Sequence, residues 1–175
     1  MNIRNMERHE IKLIWTIDRS EIIHNIYYLI NGMLVLRPEY YDAPGWPPGE
    51  EEQYTPILED CYDRGGTFIG AFVDDVLVGI MVLESRFIGK NSDQLQLKFL
   101  HVSRNHRKGR LGRQLFEQAV YRARELKARK LYISATPSEN TVNFYLHLGC
   151  TVAEEINEEL FELEPLDIHL EFQLD

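Results

Sequence analysis

The sequence has little cysteine, no long apolar run, no secretory leader and none of the common nucleotide-binding signatures. Its 175 residues include two cysteines, Cys61 and Cys150. Neither has a second Cys or a tight His cluster nearby, so no zinc-ligand spacing and no disulfide framework can be drawn. Both read as packed thiols in a reducing, cytoplasmic setting. No apolar stretch reaches the roughly 18 residues needed to cross a membrane. The segment Met1–His9 has no apolar h-region. Internal repeats and low-complexity tracts are absent. Between Glu139 and Asp175 there are ten acidic residues and no Lys or Arg.

What remains is an ordinary globular composition, 44% hydrophobic and 27% charged, long enough for a single domain over residues 1–175 with a real core. The net charge of −9 conceals an asymmetry. Residues 98–130 hold eleven Lys and Arg against Glu117 and Glu125, so this segment is +9 and the rest of the chain −18. Such a bipolar molecule suits one anionic and one cationic ligand.

Along the chain, Ile11, Leu13, Ile14, Trp15 and Ile17 read as part of a helix. An aromatic-rich stretch, 22–41, runs into the turn cluster 42–49, whose three prolines forbid a regular helix or central strand. The pattern then predicts a short helix over about 53–63, strands over 67–73 and 76–83 joined by an Asp74-Asp75 turn, and a loop over 86–93. A third strand, 94–103, alternates Leu95, Leu97 and Phe99 with Gln96 and Lys98. A long helix over about 111–128 carries the stripe Leu111, Leu115, Ala119, Ala123 and Leu126. A strand over 130–135 precedes Thr136-Pro137-Ser138-Glu139, read as a capping box with Thr136 as the cap, opening a helix that ends at Gly149. Strands near 150–153 and 167–174 close a mixed α/β architecture.

The most informative stretch is the basic turn Arg107-Lys108-Gly109-Arg110-Leu111-Gly112-Arg113, between a strand and a helix. Free amides at a helix start, the helix macrodipole and the Arg and Lys charges together make an anion site. It is not a Walker A loop, and Gly-x-Gly-x-x-Gly cannot be drawn through two glycines. With Ser138-Glu139-Asn140 and Tyr145 ahead of Leu148-Gly149-Cys150 downstream, the chain resembles the GNAT superfamily of acyl-CoA-dependent N-acetyltransferases. The resemblance is strongest over 66–152. It departs from the family pattern at Arg110, where a motif glycine is expected, at Ser138, where the family often has Asn, and at Cys150, where it usually has Phe.

The resemblance implies a central, mostly antiparallel sheet flanked by helices, with two strands splayed to grip acetyl-CoA. It implies that Leu100, His101 and Val102 pair with the pantetheine arm, and that amides of Lys108, Gly109, Arg110, Leu111, Gly112 and Arg113 hold the pyrophosphate. Arg107 and neighbouring basic side chains meet the remaining phosphate charge, Ser138 or Asn140 touches the arm, and Tyr145 stands at the thioester sulfur as the catalytic acid. No metal is called for. Acetyl transfer also needs a neutral amine and a held oxyanion, and by the same analogy the Val102 amide is the oxyanion donor. The base stays open. The strand offers Gln94, Gln96 and Lys98 but no carboxylate, and Glu84 and His101 are the nearest ionisable groups.

The expected activity is therefore acetyl-CoA-dependent N-acetylation of a primary amine. Glu50–Glu52 and Glu154–Glu164 favour a small cationic acceptor over a peptide, with the Pro-Gly-Trp loop as a wall. The missing strand carboxylate keeps a non-catalytic acyl-CoA sensor as an alternative. A nucleic-acid partner fits poorly, because few aromatics interleave the basic segment and the −18 remainder repels a polyanion. No membrane partner is indicated, and a homodimer is compatible with the sequence.

Overall fold

The computed structural model describes residues 1–174. Seven strands form one sheet: β1 (Asn2–Asn5), β4 (Thr67–Val73), β5 (Val76–Ile88), β6 (Gln94–Val102), β7 (Lys130–Ala135), β9 (Ile168–Gln173) and β8 (Thr151–Val152), in that spatial order. Every neighbouring pair is antiparallel except β6 and β7, which run parallel. A separate hairpin joins β2 (Glu21–Ile30) to β3 (Met33–Ala43).

One face of the sheet carries α2 (Leu111–Glu125) and α3 (Glu139–His147). Their Leu111, Leu115, Phe116, Ala119, Ala123, Val142 and Tyr145 pack on Leu95, Leu97, Leu131, Ile133 and Leu170. The other face carries a 3-10 segment, Arg8–Thr16, and α1 (Glu50–Asp63), packed through Ile11, Ile14, Tyr54, Leu58 and Cys61 on Phe68, Ile80, Val82 and Phe99. A short helix, α4 (Glu158–Leu163), lies near this face, with Phe161 6.0 Å from the His169 ring. No helix among the described residues is long and apolar enough to cross a membrane. Cys61 and Cys150 are buried in different clusters, and burial pushes each thiol up to about 12.

Several sequence expectations hold. Asp74 and Asp75 both take positive φ, as a two-residue hairpin turn requires, and Gly149 ends its helix at φ +98. Central β5 is buried on both faces through most of its length. Leu111, Leu115, Ala119 and Ala123 are buried as the stripe predicts.

Others need correction. The stretch 22–41 is most of a hairpin turning at Asn31-Gly32, both at positive φ. The expected loop after residue 85 is partly strand, since β5 continues to Ile88. Helix α1 starts at Glu50, with three acidic residues in its first turn where the macrodipole favours them. Helix α2 stops at Glu125, because Lys127 turns left-handed at φ +66, and Leu126 is 38% exposed. The cap of α3 is Ser138, not Thr136: its hydroxyl accepts from the Thr141 amide, two residues beyond the expected box. The alternation in β6 also breaks. A register irregularity in the β5–β6 pairing at Leu97–Phe99 leaves Lys98 unmatched and sends Leu97 and Phe99 to opposite faces.

Candidate active site

That irregularity coincides with the opening of the sheet. Strands β6 and β7 pair only at Gln94–Lys130, Leu95–Leu131 and Gln96–Tyr132, and then separate. Past Gln96, β6 pairs with β5 alone, while β7 keeps its partner β9 through Ala135. The Ser103 amide donates to the Val78 carbonyl on β5 at 2.8 Å. Strand alternation therefore turns the backbone groups of Val102 and Leu100 the other way, into the gap. A free strand edge inside a protein is a template for an extended ligand.

The basic turn stands at the mouth of this gap. Its left-handed residue is Lys108, at φ +64, whereas Arg110 sits at φ −88 and ψ −1, a helical conformation open to any L-residue. Arg110 is exposed, so its side chain does not fill the cradle. The glycine that geometry requires is Gly112. A Cβ there would meet the Phe144 ring at 3.2 Å, so the missing side chain lets the start of α2 approach α3 closely. Amides of Leu111, Gly112 and Arg113, in the first helical turn, have no acceptor within the helix.

The side chain of Arg107 is engaged elsewhere. It donates to the carbonyls of Val102 at 2.9 Å, Ser20 at 3.0 Å and Asp18 at 2.9 Å. It thereby clamps the 18–20 segment to the end of β6, and in this arrangement it is not offered to a phosphate. Ser138 is buried as the cap of α3, and Asn140 donates to Glu21 at 2.8 Å. The β2–β3 hairpin is pinned to the same corner by Tyr27 N–H to the Pro137 carbonyl at 2.8 Å and Tyr27 Oη–H to Asn143 at 2.7 Å.

Tyr145 projects from α3 into the core beneath the gap and is 6% exposed. Burial first, then the Cys150 and Asp167 charges, push its hydroxyl well above the ordinary tyrosine value. The phenol therefore stays protonated at neutral pH.

The opposite side of the gap is aromatic and acidic. Phe99 and His101 project from β6 towards Trp46, with ring centroids 5.0 Å apart for Trp46–His101 and 5.2 Å for Phe99–His101; Tyr54 approaches Phe99 to 5.8 Å. The Arg19 guanidinium lies 4.7 Å over Trp46 and pairs with Glu50 at 3.2 Å. Tyr54 Oη–H donates to Glu164 at 2.8 Å, and Ser134 Oγ–H to Asp167 at 2.8 Å. Trp46 of the Pro-Gly-Trp loop stacks on Phe99 at 6.2 Å and meets the His101 ring edge-on. Asp167 was not singled out from the sequence.

The two base candidates read from the sequence fare badly. Burial alone would raise Glu84. Its bonds from Arg64 at 2.6 and 3.1 Å, the Ser85 amide and the charge of Lys98 instead carry it down to about 2. His101 is held well below 6.5 by burial and by the charges of Arg19 and Arg107. Asp167 moves the other way, to about 6. Burial raises it, the Ser134 hydroxyl opposes, and Glu164 and Glu50 raise it further against Arg19.

The fold as a whole is one that other proteins share. The nourseothricin acetyltransferase structure superposes with a TM-score of 0.73 at 18% identity, over 99% of this chain and 98% of that one. A GNAT-family acetyltransferase from Staphylococcus aureus gives 0.68 at 14% identity, over 99% of each chain. PaiA N-acetyltransferase from Thermoplasma acidophilum, in complex with coenzyme A, gives 0.64 at 15% identity, over 98% of each. At such identities the likeness is one of fold. No curated protein is similar to the chain in sequence. The family assignment comes from the sequence model described as the acetyltransferase (GNAT) family, which matches residues 32–150 and so spans β3 of the hairpin, the splayed strands, the basic turn and α3. By that match, the chain belongs to the GNAT acetyltransferase family.

Proposed function

We propose that this acetyltransferase moves the acetyl group of acetyl-CoA to the primary amine of a small cationic acceptor, with the thioester lying between β6 and β7. The observation that carries the reading is the gap itself, flanked on one side by first-turn amides and on the other by carboxylates. The inward-turned edge at Leu100 and Val102, beside His101, suits the amide-bearing pantetheine arm. Amides from Lys108 to Arg113 suit the pyrophosphate, and exposed Lys108, Arg110 and Arg113 add positive charge nearby. Acetyl-CoA supplies the activated acyl carbon and a thiolate leaving group. The rest is done by the chain.

The Val102 amide donates to the carbonyl oxygen as negative charge develops there. Tyr145, protonated and without a hydrogen-bond partner among the described residues, gives its proton to the departing sulfur. On the acceptor side, Trp46, Phe99 and His101 form aromatic walls beside Glu50, Glu164 and Asp167, a lining that favours a compact cation. Arg19, stacked on Trp46 and paired with Glu50, already places one cation in this lining.

The test is release of CoA thiol from acetyl-CoA across a panel of spermidine, simpler diamines and lysine-containing peptides. Turnover of the small polycations over the peptides is expected, and turnover confined to peptides overturns the acceptor assignment. Tyr145→Phe should bind acetyl-CoA normally and lose about 10²- to 10⁴-fold in turnover. An unchanged rate removes Tyr145 as the acid.

A further inference from the structure

The site described so far has an acid but no base, and the residues nearest to hand cannot serve. Strand β6 brings Gln94, Gln96 and Lys98. Glu84 is buried in a bidentate contact with Arg64 and faces Lys98 at 3.5 Å, so both its oxygens are committed. The His101 ring stands edge-on between Trp46 and Phe99 beneath two arginine charges.

We propose that Asp167 is the general base of the transfer, taking the proton of the attacking ammonium directly or through one water; this rests on the cationic-amine reading above. Asp167 directly precedes β9, and its Oδ2 accepts from Ser134 Oγ–H at 2.8 Å. Ser134 lies two residues beyond Tyr132, the last β7 residue paired with β6, so the carboxylate is anchored beside the open part of the gap. Ser134 alternates with Ile133 and Ala135, which face α2 and α3, and so points to the aromatic and acidic side. Oδ1 has no hydrogen-bond partner among the described residues and is free to accept. The charge of Asp167 is felt at the Tyr145 hydroxyl.

The surroundings tune the group for this work. Glu164 precedes it in the chain, Glu50 and Tyr54 face it from α1, Arg19 from the segment before β2, Ser134 from β7 and Tyr145 from α3. Together with burial they set the carboxyl at about 6, where a base working near neutral pH is ionised yet still proton-seeking. The steps balance. Asp167 takes one proton from the ammonium, and the freed lone pair forms the N–C bond as the carbonyl pair moves to oxygen. That pair returns as the C–S bond breaks, and sulfur takes the Tyr145 proton. The new amide nitrogen gives up its second proton, which restores the Tyr145 hydroxyl, and Asp167 releases its own to solvent.

The test compares wild type, Asp167→Asn, Asp167→Glu and Ser134→Ala, following CoA release with the amine that wild type turns over best, across pH 5 to 9. Wild-type kcat/KM should fall on the acidic side with a midpoint near 6. Asp167→Asn should lose about 10²- to 10⁴-fold in kcat and flatten that limb, with acetyl-CoA affinity by calorimetry unchanged. Asp167→Glu should restore part of the rate. Ser134→Ala should move the limb to higher pH, since its hydroxyl bond favours the carboxylate. With 2,2,2-trifluoroethylamine, an acceptor already neutral in the upper half of this pH range, the Asn variant should there lose far less than with the charged amine. Retained turnover and an intact acidic limb in Asp167→Asn overturn the base assignment alone. A rise confined to KM overturns it in favour of a simple cation anchor. Wild-type silence on every amine overturns the acceptor reading, and the base with it.

Discussion

Two carboxylates in different parts of one sheet, Glu84 buried and Asp167 half-buried, have been driven in opposite directions. Glu84 lies towards the end where β5 and β6 meet α1, gripped by Arg64, the Ser85 amide and Lys98, and titrates near 2. Asp167 lies where β6 and β7 have parted, holding one hydroxyl and facing other carboxylates, and titrates near 6. Burial acts on both in the same sense. The difference is made by the partners that each local geometry admits. Where the strands are paired and a guanidinium closes over the carboxylate, the charge holds the structure together. Where they diverge, the carboxylate is left short of partners, and that shortage gives it a proton affinity useful to chemistry.

Removing each charge in turn sharpens this contrast. Glu84→Gln removes the charge that Arg64 and Lys98 share, leaves Arg64 with Asp60 alone, and should cost about 1–3 kcal/mol of stability, measured by denaturant unfolding at pH 7. Because the folded Glu84 titrates below its usual value, its contribution is present above pH 4.5 and fades as pH falls towards 2. Asp167→Asn should have the opposite sign. The folded carboxyl binds its proton more tightly than the unfolded one, so wild-type stability declines as pH rises from about 4 to about 6. The Asn variant should therefore be more stable than wild type by about 2–3 kcal/mol at pH 7 and equal to it below pH 4. Loss of stability in both variants would break the comparison. Gly112→Ala probes the mouth of the gap. The new methyl meets the edge of the Phe144 ring at 3.2 Å, so the ring and the first turn of α2 must give by a few tenths of an ångström, while Ala adds about 1 kcal/mol of helix propensity that offsets the strain. Acetyl-CoA affinity should fall, read by calorimetry.

Local chemistry was readable in the sequence where it decides the structure. Asp74-Asp75 makes its turn, Gly149 ends its helix, and the strand, basic turn and helix follow in the expected order. Asn31-Gly32 carried an equally local signal, set between two largely apolar segments. Other features depend on partners that no sequence window contains. The irregularity at Lys98 arises from the register of β6 against β5, and it moves Phe99 from the face shared with Leu97 to the face that carries α1. Arg107 resembles a phosphate contact until the Asp18–Ser20 segment folds across it. Arg110 resembles a defect until its φ shows that the left-handed position belongs to Lys108. Asp167 lies in an acidic tail where nothing distinguishes it, and only the return of β9 beside β7 brings it to Ser134.

The central claim is that the gap between β6 and β7 holds the thioester. Titrating isotope-labelled protein with acetyl-CoA and following backbone amide resonances tests it directly. Large shifts are expected at Leu100–Val102 and at Gly109–Arg113, with little change at Glu84 and Ser85. Shifts confined to another surface, or none at saturating acetyl-CoA, would contradict it.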